Sequence, residues 1–207
     1  MHDTRAHFDA LYQANRDPWD YENSSYEARK YAATLDALLR ARYKSVLEAG
    51  CSIGILSAQL AARADHLIAV DFSALAILEA EKKLRDFAGV TVLHAALPDG
   101  WPEGRYDLIM LSELVYYLSE ADIKTLAGLV ARDANAGGEC VLVHYLGDTQ
   151  TNISPNAARN LFCETLAHLR KIYIFDHPTA GEYNHRTVCF DAVNSDFKFD
   201  ELTGLIK

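Results

Sequence analysis

Glu48, Gly50, Ser52 and Gly54 fall on alternate positions of SVLEAGCSIG, residues 45–54, and Asp71 follows Gly50 by 21 positions. A glycine turn at a strand end, with an acid about 20 residues on, is how a parallel sheet holds a ribose through its hydroxyls. A pyrophosphate does not fit this version of the turn. The dinucleotide fingerprint G-x-G-x-x-G needs its second glycine for close backbone approach, and Ser52 occupies that position. No G-K-[ST] follows, so the phosphate loop of nucleoside triphosphatases is absent as well. Glu48 would repel a phosphate, yet it could support a loop that receives a cationic amino-acid group. The residue types therefore describe a site for a nucleoside with a zwitterionic tail, and they count against a nicotinamide-linked dehydrogenase.

Such a turn works only where a strand delivers it to the edge of a sheet, and the rest of the chain supplies that sheet. The helix SSYEARKYAATLDALLRARY (24–43) opens on a capping box, Ser24 with Glu27, and sets Ala28, Tyr31, Leu35, Leu38 and Leu39 on one face. Strands follow at KSVLEAG (44–50), HLIAVDF (66–72), VTVLHA (90–95), YDLIMLS (106–112) and ECVLVHYL (139–146). Helices ILSAQLAARA, SALAILEAEKKLRDF and EADIKTLAGLVARDA lie between them, with Ser73 as an N-cap. The strands are nearly continuous apolar runs, as in parallel strands covered on both faces. A further helix capped by Ser154, with Pro155 at its first position, precedes KIYIFDH (171–177) and HRTVCFDAV (185–193). Only PTAGEYN separates those two, too little for a parallel crossover, so they pair antiparallel.

The expected fold is α/β, a Rossmann-like doubly wound, mostly parallel seven-stranded sheet with an antiparallel C-terminal hairpin strand, preceded by N-terminal helices. One domain is expected over 1–207: a helical lid (1–43), a binding core (44–146), a C-terminal helix and hairpin (147–193) and a tail (194–207). At 207 residues and half hydrophobic, the chain has the material for one sizeable core. A net charge of −9 argues against a protein that covers nucleic-acid phosphates. No run reaches membrane-spanning length and MHDTRAHFDALYQ lacks the order of a signal peptide, so a cytoplasmic protein without membrane contact is expected. Cys51, Cys140, Cys163 and Cys189 are scattered, and no two metal-ligand types recur at a metal-site spacing; buried free thiols and no metal are expected. Oligomeric state is not legible.

S-adenosylmethionine has the parts that the opening stretch calls for, and VLEAGCSIG with LIAVDFS resembles the first two motifs of the class I methyltransferases. Within that superfamily NRDPWDYENSSYEARKYAATL, VLEAGCSIGILSAQLA and YDLIMLSELVYYLS are similar to the nodulation protein S family, N-methyltransferases acting on a glucosamine unit of chitin oligosaccharides. The resemblance covers roughly residues 8–146. It implies S-adenosyl-L-methionine as cofactor, S-adenosyl-L-homocysteine as product, and a small polar acceptor, most simply the amine of an amino sugar. A hydroxyl acceptor, or a protein that binds the cofactor and has lost transfer, stays open.

Carried over by motif position, Gly50, Cys51, Ser52 and Gly54 would line the methionine end above Glu48, with Asp71 at the ribose and Phe72 against the adenine. Ala96 and Leu97, in HAALPDG, would meet the adenine through backbone groups, in place of the acid that often stands there; a plain strand-end loop is the alternative. Tyr26 and Arg29, three apart on one helical face, would close over the cofactor, Arg29 pairing with its carboxylate or serving only as a surface residue. Trp19 belongs either to that lid or to the core. At the exit of the fourth strand, Ser112 adjoins the cofactor and Glu113 would position the acceptor amine or take its proton, beside Tyr116 and Tyr117. His144, ending the fifth strand, reads either as a second base or as a histidine hydrogen-bonded at a strand end.

Overall fold

A computed structural model describes residues 4–179 and 181–191. Its sheet has seven strands in the order β3-β2-β1-β4-β5-β7-β6. These are β1 (Tyr43–Ala49), β2 (Ala64–Asp71), β3 (Val90–His94), β4 (Tyr106–Ser112), β5 (Ala134–Tyr145), β6 (Ile172–His177) and β7 (Tyr183–Phe190). The first five pair in parallel, and β7 runs antiparallel to both β5 and β6. This is the expected Rossmann-like arrangement. The expected tail, 194–207, and the last two residues of the expected final strand lie outside the described residues.

Alternation along the strands decides which helix covers which face. Leu47, Ala49, Ile109, Leu111, Cys140 and Leu142 point to one side. They pack there under α5 (Glu120–Asp133) and α6 (Pro155–Leu169). Val46, Leu67, Leu108, Met110, Val141 and Val143 point to the other, under α2 (Ser25–Asp36) and α3 (Ile55–Ala61). On that side α4 (Ala74–Leu84) covers Ala69 of β2. Serines 24, 73, 119 and 154 cap α2, α4, α5 and α6, each accepting the backbone N–H three residues on.

Two elements depart from the expected boundaries. The helix expected over 24–43 stops at Asp36, because Tyr43 is already in β1, its N–H on the Arg63 carbonyl and its hydroxyl on the buried Glu139 carboxylate. Leu38 packs on the core from the loop instead. The capping box is also only half made: the Ser24 hydroxyl accepts from Glu27 N–H, while the Glu27 carboxylate turns to Lys30. The fifth strand starts at Ala134, five residues early, with a register shift opposite Tyr106 and Leu108.

All four cysteines are buried and free. Among the described residues no helix is long and apolar enough to cross a membrane, and no three potential ligands gather for a metal ion.

Candidate functional site

The chain runs outward from β1 to β3 and returns to β4 on the other side of β1, so the carboxyl ends of β1 and β4 open into a crevice at the switch point. A cavity of about 1850 Å³ occupies it. Its floor is the turn after β1. The N–H groups of Gly50 and Cys51 both donate to the Val70 carbonyl at 2.8 and 2.9 Å, tying the turn to β2. Gly50 and Ser52 have positive φ, 82° and 51°. The Ser52 N–H donates to Asp71 Oδ2 at 2.9 Å and the Ser73 N–H to Asp71 Oδ1 at 2.9 Å, which fixes the carboxylate at the end of β2. Burial raises the pKa of Asp71 and those bonds oppose it.

Glu48 is the other acid of the floor. It is 2% exposed and its Oε2 has no hydrogen-bond partner. Burial pushes its pKa up to about 8, with the neighbouring Ser57 hydroxyl pulling the other way. A carboxyl held neutral in the cavity lining, with one oxygen unpartnered, can take a donor that a ligand brings.

The helix α1 (Thr4–Ala14) closes this end from above. The Tyr12 hydroxyl stands 2.6 Å from Ser52 Oγ, and Phe8 meets Phe72 edge-on at 5.4 Å between ring centroids. Trp19 lies against Phe8 and Tyr12 and stacks on Tyr21 at 5.5 Å, so it is part of the cover and of its packing at once. Ser52, which stands where the dinucleotide fingerprint has its second glycine, is thus the point at which the floor is hydrogen-bonded to its cover.

The opposite end is built around Glu113, the residue after β4. Its φ is +55°, and its N–H donates to the Val143 carbonyl at 2.8 Å. Oε1 accepts from Lys30 Nζ at 2.7 Å, and Oε2 accepts from the Tyr116 hydroxyl at 2.6 Å and the Tyr145 N–H at 2.8 Å. Lys30 also donates to Glu27 at 3.0 Å. Burial works against the charge of Lys30, but Glu113 and Glu27 outweigh it and hold its pKa above the ordinary value.

Of the residues singled out from sequence, Tyr26, Glu48, Gly50, Cys51, Ser52, Asp71, Phe72, Ala96, Leu97, Ser112, Glu113, Tyr116, Tyr117 and Trp19 all line this one cavity. Three do not. Arg29 is exposed and outside the lining, because the buried stripe of α2 runs through Glu27, Lys30, Tyr31 and Thr34. Gly54 caps α3 at φ +81° and lets α4 approach, a Cβ there standing 3.2 Å from the Ala80 Cα; its glycine serves packing. His144 is 0% exposed behind Tyr116, edge-on to that ring at 5.5 Å, and burial takes its pKa down to about 4. Neither reading of His144 holds: it does not reach the cavity as a base, and neither ring nitrogen has a hydrogen-bond partner. Sequence reasoning missed Phe8, Tyr12 and Lys30. Lys30 had a signal: a lysine three after Glu27 and one before Tyr31 stands on an otherwise inward-facing stripe.

The family model for nodulation protein S matches residues 8–169. Nodulation protein S of Rhizobium tropici is 26% identical over 127 residues, 60% of this chain and 53% of that protein. This chain spans between 52 and 59% of the length of the four nodulation S proteins it matches. A candidate methyltransferase from Pseudomonas syringae, known from its crystal structure, is 33% identical, with TM-score 0.69 over 80% of this chain and 99% of that one. The N-methyltransferase NodS from Bradyrhizobium japonicum, solved with S-adenosyl-L-homocysteine, shares the fold at TM-score 0.71 and 18% identity, over 91% of this chain and 99% of that one.

Proposed function

We propose, from the premise that this chain belongs to the nodulation protein S family, that it transfers a methyl group from S-adenosylmethionine to a small polar acceptor, the amine of an amino sugar or a related compound. The residues present fit that cofactor. Asp71, fixed by two backbone bonds, keeps lone pairs for ribose hydroxyls, and the unpartnered oxygen of Glu48 matches an ammonium group. Phe72 and Leu97 line an apolar wall for a base, with Phe8 over it. Nothing in this donor set favours a phosphate.

Bound there, the cofactor supplies a methyl group on a positively charged sulfur. The protein's own part is to hold the acceptor in line. Glu113, its carboxylate set by Lys30, Tyr116 and the Tyr145 N–H, receives the acceptor amine and aligns it, and alignment is what a methyl transfer chiefly requires. The α1 helix and the segment to Tyr21 exclude water from the cofactor end. The observation that carries the reading is a single cavity with the unpartnered Glu48 oxygen at one end and the triply held Glu113 carboxylate toward the other.

Calorimetric titration with S-adenosyl-L-homocysteine tests the cofactor, with Asp71→Asn as the control that keeps the turn's bulk. We expect binding by the wild type and a loss of about tenfold or more in the variant, the worth of one or two charge-assisted hydrogen bonds. Absence of binding by the wild type overturns the assignment. Methyl-labelled cofactor with glucosamine oligomers tests the acceptor: label on nitrogen, stable to mild base, supports an amine, and label recovered only on oxygen refutes it.

A further inference from the structure

The first turn of α2 breaks its own capping motif. In a capping box the N3 glutamate reaches back to the N–H of the cap residue. Here the Ser24 N–H donates to the Asp20 carbonyl at 2.8 Å, from a turn that holds Asp20 at φ +56°. Glu27 is thereby released, and it turns inward to line the cavity at 7% exposure. Lys30 Nζ stands 3.0 Å from each of its oxygens, but only Oε1 receives a hydrogen bond, and Oε2 is without a donor. A carboxylate is rarely buried with so few donors around it.

Its neighbour Glu113 is the opposite case. Of the roughly four lone-pair positions on a carboxylate, Lys30, the Tyr116 hydroxyl and the Tyr145 N–H take three. Glu113 is therefore fixed in direction, with one position left to aim a nitrogen. Both carboxylates stand within 3.0 Å of the one Lys30 nitrogen, so a nitrogen bound to Glu113 lies near Glu27. Lys30 and Tyr31 of α2 and Glu113 after β4 all act on Glu27, whose charge in turn reaches Tyr26 and the buried Tyr21. Burial raises the Glu27 pKa above the ordinary 4.5, against the pull of Lys30. The last torsion of a glutamate is broad and two-fold, so either oxygen can turn to a ligand while the pair with Lys30 is kept.

We infer that the two carboxylates divide the work on the acceptor: Glu113 orients the nitrogen, and Glu27 is the base that takes its proton. This rests on the methyltransferase reading above. The acceptor enters as an ammonium ion and gives one proton to the Glu27 carboxylate. The freed lone pair forms the new N–C bond, and the methyl C–S bond breaks with its electron pair left on sulfur. The product leaves as a methylated ammonium ion, and Glu27 returns its proton to water. With Glu27 ionised, Glu27, Lys30 and Glu113 together carry one negative charge, which matches an ammonium ion. With Glu27 protonated they are neutral, which matches the free amine that must meet a cationic sulfur.

The test is kcat/KM for glucosamine oligomers with labelled cofactor from pH 6 to pH 9.5, on the whole chain. The wild type should show an acid limb above pH 4.5, set by Glu27, and then a plateau. Glu27→Gln, which still accepts from Lys30, should lose that limb and about 100-fold in rate at pH 6. Its deficit should shrink about tenfold per pH unit and close above about pH 8, where an ordinary amine deprotonates itself. Glu113→Gln should raise KM and keep the limb. Glu27→Asp decides between chemistry and shape: as a base it outperforms Glu27→Gln at pH 6, whereas a structural role ranks the closer shape, Gln, first. A Gln variant at least as active as Asp, or a deficit equal at every pH, overturns the inference. Should Glu27→Gln not fold, the isotope-edited carboxyl resonance of Glu27 in the wild type loaded with S-adenosyl-L-homocysteine must titrate with the acid limb, and a mismatch overturns it equally. Failure to bind S-adenosyl-L-homocysteine, or binding without turnover of any amine at any pH, is instead the failure of the underlying reading.

Discussion

Glu48→Gln separates a carboxylate that binds from one that merely fills space. In the free protein burial holds the Glu48 pKa at about 8, so near pH 7 it is mostly neutral. A cationic ammonium group requires the ionised form. The ionised fraction rises from about 1% at pH 6 to about half at pH 8, so affinity for S-adenosyl-L-homocysteine should climb about 50-fold across that interval. At pH 7 close to one proton is released per ligand bound, which calorimetry in buffers of different ionisation enthalpy measures directly. Glu48→Gln keeps the shape, loses the titration and should give a flat, weak profile with no proton release. A flat profile in the wild type, or the same slope in the variant, would refute the reasoning.

Stability of the free protein supplies a second reading of the same group. Its folded pKa is raised above the ordinary 4.5, so the neutral form's contribution is fully present below pH 4.5 and is lost as pH rises through about 8. From pH 5 to pH 8 the wild type should lose about 3 to 4 kcal/mol relative to Glu48→Gln, measured as the difference in urea-unfolding free energies. Parallel stability curves for the two proteins would show that Glu48 ionises freely in the folded state.

Three further perturbations test the geometry. Arg29→Ala should leave stability and cofactor affinity nearly unchanged, whereas Lys30→Met strands Glu27 and Glu113 and should cost about 3 kcal/mol in urea unfolding; a larger effect from Arg29 would restore the residue that the sequence favoured. Tyr12→Phe and Ser52→Gly should each weaken S-adenosyl-L-homocysteine binding by about 1 kcal/mol, and the double variant by no more than either alone, since they share one hydrogen bond. Additive losses would mean that the two residues act separately. His144→Gln should leave the pH–rate profile of methyl transfer in place, and a displaced limb would show that His144 exchanges protons with the reaction.

The sheet was legible because its information is local. Apolar runs such as YDLIMLS and turns such as SVLEAGCSIG state strand, direction and exit loop within a few residues, and serine caps mark where four of the helices begin. The floor of the site followed from the same signals, since Glu48, Gly50, Ser52 and Asp71 sit at strand ends whose order the fold dictates. The cover did not. Phe8 and Tyr12 belong to a helix that meets the site only because the chain folds back across the crevice, and nothing in TRAHFDALYQA announces that partner. The choice between Arg29 and Lys30 turns on a rotation of about 100° around one helix, and the longer, bidentate side chain was favoured on chemistry when phase decided it. Ser52 shows how the two kinds of information meet. As a motif position it reads as a departure from the dinucleotide fingerprint, but the Tyr12 hydroxyl gives it a partner 40 residues away. A glycine there would free the floor from its cover. In this chain closure over the cofactor is therefore written into the position at which the motif is broken.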